Sequence, residues 1–303
     1  MQLKQKIQAS YLAVMVIWST TPLAIKWSSD DISYLFGVSA RMVIGLLVSL
    51  LLLKLLGLSM HWHRQARRTY LAAGLGIYGA MLCVYWGAQY IPSGWISVMF
   101  GLTPIVTGIM ARRFLGEDAL GGIRLIGVFV AVGGLVVVFY GSLQFSENAW
   151  YGVLALLLSV TLHSASMVWT KYLGYQGHGL VTVSGGLMVA VPLYLLTWFI
   201  LDEPWPQQIP ERAAWAIVYL GVVATVLGFA AFYYVLRYVD ATRVALLTLV
   251  TPILALWLGR WLNDERLTWA VVVGTLLILM GLLLYEFGVR SSPKLMKNTD
   301  EQS

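Results

Sequence analysis

Long apolar runs separated by short polar breaks make up almost the whole chain. The runs cover roughly 9–27, 33–55, 69–89, 93–113, 122–141, 150–171, 180–201, 212–236, 242–261 and 267–289. Each is close to the about 20 residues that an α-helix needs to cross a bilayer. The pattern therefore predicts an all-α membrane protein of ten transmembrane helices. The breaks leave no room for a soluble domain. The longest outer one, from Asp202 to Glu211, is acidic and proline-rich. The stretch 291–303 is polar and reads as a disordered tail.

The runs repeat. Tyr90-Ile91-Pro92-Ser93-Gly94, Leu102-Thr103-Pro104-Ile105 and Gly116-Glu117 are answered by Tyr238-Val239-Asp240-Ala241-Thr242, Val250-Thr251-Pro252-Ile253 and Asp264-Glu265, all at an offset of 148. Internal repetition at a fixed spacing identifies a duplicated unit. The halves are 1–143 and 144–290. Five helices per half is an odd number, so the second half enters the membrane upside down. Two inverted five-helix repeats around a central cavity are a recurring plan for secondary transporters.

Further marks obey nearly the same offset. Trp18-Ser19 precedes Lys26 as His163-Ser164 precedes Lys171. Gly127, Gly134 and Gly141 recur every seven residues, as do Gly274, Gly281 and Gly288. Positions seven apart lie nearly on one helix face, so each row forms a groove for close backbone approach. The facing surface is the other row or a second copy of the chain, so a monomer and a homodimer both remain open.

Each Thr-Pro sits mid-run. Proline removes a helical hydrogen bond and clashes with the carbonyl four residues earlier, here that of Phe100 or Thr248. Such a helix persists in a membrane only where protein or water satisfies the freed group. Pro104 and Pro252 are expected to bend their helices and act as hinges.

Charge sets the orientation. Of 20 Lys and Arg, 15 fall on the N-terminal side of the membrane, four (Lys26, Arg212, Arg260, Arg266) on the other, and Arg41 within the second run. Cytoplasmic loops hold the excess of positive charge, so both termini are expected in the cytoplasm. This asymmetry also explains the net charge of +6 without nucleic acid. Charged residues are only 11% of the chain, against about 25% in soluble proteins. The first run lacks a clean cleavage site and is interrupted by Trp18-Ser19-Thr20-Thr21-Pro22, so it is read as a retained helix and not as a signal peptide. The single Cys83 excludes an internal disulfide.

The paired blocks, with Trp18-Ser19 in the first helix and Arg41 in the second, resemble the EamA-like ten-helix carriers of the drug/metabolite transporter superfamily. The resemblance covers nearly the whole chain. It implies alternating access, a bacterial inner-membrane location, no enzymatic activity, and export of amino acids, other metabolites or drugs. It also implies that the fifth and tenth helices stand away from the cavity.

Candidate binding residues follow from cost. An ionised group inside a membrane costs about 2.5–3.5 kcal/mol on insertion scales, so those retained need a reason. Arg41 binds an anionic substrate group or pairs with a gate, or else it snorkels to the outer interface or satisfies a backbone carbonyl. Lys26 is expected to snorkel outward. His163, flanked by Ser159, Ser164 and Ser166, lines a cavity or is a bonded bundle residue. Glu286 lies near the inner end of the tenth helix, and no carboxylate falls at mid-membrane. Trp18, Ser19, Tyr78, Tyr85, Trp169 and Tyr234 are candidates for an aromatic, polar-edged lining suited to planar or cationic ligands, with Thr103 and Thr251. No metal site is expected: His61-Trp62-His63 lacks further ligands. No cofactor is expected either, because a phosphate-cradling glycine loop is missing. Two alternatives stay beside a carrier of small molecules: a lipid-moving protein of the same fold, and a hydrolase built on His163 with Ser164 or Ser166.

Overall fold

The computed structural model describes residues 3–117, 122–142, 147–245, 251–265 and 267–290. The described residues form helices: α1 (Leu3–Trp27), α2 (Tyr34–Leu55), α3 (Arg64–Gly87), α4 (Ser93–Phe100), α5 (Thr103–Leu115), α6 (Gly122–Ser142), α7 (Ala149–Leu173), α8 (Gly179–Leu201), α9 (Glu211–Tyr219), a π-helical stretch Leu220–Gly228, α10 (Phe229–Tyr238), α11 (Ala241–Ala245), α12 (Thr251–Leu262) and α13 (Trp269–Arg290). Seven helical stretches among them are long and apolar enough to cross a bilayer, and 123–138 and 269–285 are shorter apolar helices. Thr248, Arg266, the tail and the side chain of Glu286 lie outside the described residues.

Helix contacts follow the offset. α3 packs on α7 and α8, while α10 packs on α1 and the π-helical stretch on α2. α4 packs on α12, and α11 on α5. α2 meets α8 and α6 meets α13. In the last pair the glycine rows face each other. A Cβ added to Gly127 would lie 2.4 Å from the Gly281 carbonyl oxygen, and one on Gly134 2.6 Å from that of Gly274. The partner of each row is thus the other row within the same chain.

The fourth predicted helix is broken, not bent. α4 ends at Phe100, Gly101 and Leu102 turn, and α5 begins at Thr103. The Leu102 amide donates to the Met99 carbonyl at 3.0 Å, and the amides of Ile105 and Val106 donate to the Leu102 carbonyl. Pro104 therefore occupies the first turn of α5, where its missing N–H costs no helical bond. Pro252 is the second residue of α12 as described, and the residues just before Thr251 lie outside the described residues.

The loop landmarks interlock across the offset. Gly116 (φ 69°) ends α5 in the left-handed region, and Asp264 (φ 48°) does so after α12. That turn is open to glycine and tolerated by aspartate. Each turn presents the next residue's carboxylate to a helix start in the other half of the sequence. Glu117 accepts from the Ala241 and Thr242 amides and from Thr242 Oγ1, at 3.1, 3.2 and 2.7 Å. Glu265 accepts from the Ser93 and Gly94 amides at 2.9 and 3.3 Å. Each carboxylate satisfies orphan amides at a helix N-terminus, as a capping side chain does.

The lysines complete this frame. Lys26 Nζ donates to the carbonyls of Ala88 and Ile91 at 2.6 and 3.3 Å. Lys171 Nζ donates to Leu236 and Val239, both at 2.8 Å. The outward snorkelling expected for Lys26 does not occur: its ammonium satisfies carbonyls just beyond the C-terminus of α3.

Candidate functional site

One cavity lies where α1, α2, α3, α4, α7, α10 and α12 converge. It holds about 570 Å³ of non-atom space, mouth included. α1 contributes Trp18, Thr21, Pro22 and Ile25; α3 contributes Met81 and Val84; α4 contributes Ile96, Ser97 and Phe100. Arg41, His163, Phe229 and Thr251 come singly from α2, α7, α10 and α12. Neither α6 nor α13 lines it, in keeping with the packing role of their glycines.

Four rings, those of Trp18, Phe100, His163 and Phe229, share the wall with aliphatic residues. The Trp18 ring lies 5.5 Å from Phe229, 5.1 Å from Phe232 and 6.0 Å from His163, centroid to centroid. His163 also meets Phe100 at 5.9 Å and Phe232 at 5.6 Å. It is only 8% exposed, and its recorded contacts are these rings.

Arg41 is the strong base of the wall. It is 1% exposed. Its Nε donates to Thr225 Oγ1 at 2.8 Å, and its Nη1 is buried without a hydrogen-bond partner among the described residues. The one ion pair among the described residues joins Arg243 and Asp240 at the surface, so no described carboxylate neutralises Arg41. Thr225 belongs to the π-helical stretch Leu220–Gly228. Such wide turns inside α-helices are frequent at functional sites. A buried guanidinium with a free donor is costly unless something pairs with it. The arrangement suits an anion that enters the cavity. Snorkelling to the interface is not what Arg41 does.

Of the residues singled out in the sequence, the structure brings Trp18, Arg41, His163 and Thr251 together around the cavity. The others sit elsewhere. Ser19 turns its hydroxyl to the Met15 carbonyl at 2.7 Å. The Tyr78 hydroxyl meets Thr197 Oγ1 at 2.6 Å. Tyr85 is fully buried and accepts a 3.2 Å hydrogen bond from Ser28 Oγ. Trp169 is 41% exposed, and Tyr234 packs its ring on Tyr238. Thr103 is buried, with a hydroxyl lacking a partner among the described residues, one residue before Pro104. No hydrolytic dyad forms: Ser166 Oγ donates to the Ala72 carbonyl at 2.8 Å, and Ser164 Oγ is buried without a partner among the described residues. His61 is bonded to the Tyr175 hydroxyl at 2.8 Å, and no metal-binding group of residues occurs among those described.

Sequence reading missed Phe100, Phe229 and Pro22 as cavity residues. Phe100 had been noticed only as the carbonyl ahead of Pro104. Phe229 has a clear signal in hindsight: it follows Gly228, which packs against Trp18 so closely that a Cβ would lie 2.9 Å from the indole nitrogen.

The chain is similar to known proteins over most of its length. An uncharacterized transporter of Bacillus subtilis, YoaV, is 25% identical over 289 residues, covering 93% of this chain and 97% of its own. A probable terminal-alkyne amino-acid exporter of Streptantibioticus cattleyicolor is 25% identical, covering 91% and 92%. A probable amino-acid metabolite efflux pump of Escherichia coli is 26% identical, covering 66% and 69%. One protein crystal structure shares the fold, with a TM-score of 0.72 at 19% identity over 94% of this chain and 98% of that one. The sequence model of the EamA-like transporter family matches residues 7–140 and 150–287. This multi-pass membrane protein is a transporter, not an enzyme, and belongs to the EamA-like transporter family.

Proposed function

We propose that this chain is a secondary exporter of small amino-acid-like metabolites in a bacterial inner membrane. It works as two inverted five-span halves with both termini in the cytoplasm. The observation that carries the substrate class is Arg41, a buried guanidinium with a donor unfilled among the described residues, in a largely apolar cavity. A carboxylate pairs with a guanidinium through charge-assisted hydrogen bonds, and an apolar or aromatic side chain packs against Trp18, Phe100 and Phe229. Two relatives carry amino-acid export in their names, which supports the same class.

The cavity alternates between the two faces. The break before Pro104 is where α5 swings relative to α4, and Pro252, its counterpart by the offset, is the hinge of the second half. The carboxylate clamps of Glu117 and Glu265 hold opposite ends of the same spans. Trp18, Arg41, His163 and Thr251 contact substrate; Thr103, one residue from the first break, meets it when that break opens.

The test is counterflow of radiolabelled amino acids and aromatic cations in proteoliposomes. Protein-dependent accumulation of apolar amino acids against excess unlabelled compound is expected. Flux of cations but not of amino acids would contradict the substrate class, and no flux of any compound would contradict the carrier itself.

A further inference from the structure

On the proposed reading Arg41 accounts for one end of an amino acid, and α1, beside the same cavity, contains a proline that takes the helical donor from one carbonyl. α1 is helical from Leu3 to Trp27 with Pro22 inside it. In a continuous helix the carbonyl of Trp18 accepts from the amide of residue 22. Pro22 has no amide hydrogen, and its ring pushes the Trp18 carbonyl aside. The neighbouring hydroxyls do not repair this loss: those of Thr20 and Thr21 both donate to the Ile17 carbonyl, at 2.8 and 2.9 Å. Trp18 and Pro22 both line the cavity, one helical turn apart and thus on one face. A bare carbonyl in a membrane needs a donor from a neighbour, water or a ligand.

We propose that the Trp18 carbonyl, freed by Pro22, receives the substrate's ammonium group while Arg41 receives its carboxylate. The cavity then selects zwitterions: an α-amino acid with an apolar side chain, in preference to an organic acid or an amine of the same size. The indole of Trp18 and the ring of Phe229 favour the same cation through their π faces. This assignment rests on the carboxylate role of Arg41, and the two are separable by experiment.

The probes are L-phenylalanine, 3-phenylpropionate, which lacks the ammonium, and phenylalaninamide, which lacks the carboxylate. Equilibrium binding to the purified full chain is measured for wild type, Pro22→Ala and Arg41→Gln. Pro22→Ala restores a helical amide and raises helix propensity, so folding is not at risk; Pro192→Ala, in α8 away from the cavity, is the control. Wild type should bind phenylalanine at least tenfold more tightly than either analogue. Pro22→Ala should weaken phenylalanine about tenfold, leave 3-phenylpropionate unchanged and so erase that gap, while Pro192→Ala changes nothing. Arg41→Gln should erase the gap to phenylalaninamide instead. Unchanged phenylalanine affinity in Pro22→Ala, with the Arg41→Gln effect intact, overturns the ammonium assignment and leaves the carboxylate role standing. Retention of the phenylalaninamide gap in Arg41→Gln, or no saturable phenylalanine binding in wild type, overturns both.

Discussion

The loops at the ends of the bundle and the cavity between them treat the internal repeat in opposite ways. At the loops the offset holds contact for contact. Glu117 caps the start of α11 as Glu265 caps the start of α4, and Lys26 and Lys171 bind carbonyls at matched places. At the cavity the offset fails. Trp18 is answered by His163, and no arginine in α8 answers Arg41. Ten of the thirteen lining residues come from before residue 143. Duplication supplied a frame that closes on itself, and divergence between the copies supplied the chemistry.

The comparison can be broken first at the frame. Gly134→Leu places a side chain against the Gly274 backbone, where neither helix can yield. Overpacking costs about 1–3 kcal/mol and occasionally more, and here the contact is backbone on backbone, so the variant should lose its monodisperse peak in size-exclusion chromatography. At the cavity the opposite holds. Arg41→Gln removes a buried charge whose hydrogen-bond partner among the described residues is Thr225. Affinity for carboxylate probes should fall about 10- to 100-fold, the range of a charged hydrogen bond, with the melting temperature unchanged or raised.

The clamps sharpen the idea of matched ends. Glu117→Ala and Glu265→Ala each strand backbone amides. Each should cost about 2 kcal/mol in stability, and the two costs should agree within about 1 kcal/mol. A large difference in their denaturation midpoints would mean that the ends are alike in geometry only. Pro104→Ala and Pro252→Ala should slow exchange severalfold while changing binding less than twofold, because the proposed hinges lie beside the cavity residues Phe100 and Thr251. Least affected should be Trp169→Phe and Tyr234→Phe, with transport within twofold of wild type, since neither ring lines the cavity.

The frame was legible in the sequence because its parts are rare in membranes and occur in pairs. Carboxylates, lysines, Thr-Pro and evenly spaced glycines stand out from an apolar background, and their common offset ties them together. The cavity was only partly legible. Arg41, His163, Trp18 and Thr251 were visible as polar or large groups, but Tyr78, Tyr85 and Trp169 looked as eligible as Phe229. Helical periodicity tells which residues share a face and not what the face meets. In a bilayer that ambiguity is acute, since lipid tails are as apolar as a neighbouring helix. A tyrosine hydroxyl can satisfy itself on a nearby backbone, as Tyr194 does on the carbonyls of Ile77 and Tyr78, and then marks packing instead of a site. Lys26 misled for the same reason: its length allowed outward reach, and only the fold shows the Ala88 and Ile91 carbonyls waiting beside it.

The most direct test of the cavity as the carrying site is counterflow of labelled L-phenylalanine by wild type and Arg41→Gln, reconstituted at equal density and with matched melting temperatures. Wild type should give a transient overshoot that the variant lacks. An overshoot of equal height and equal half-saturation in Arg41→Gln would contradict a carboxylate site at this arginine.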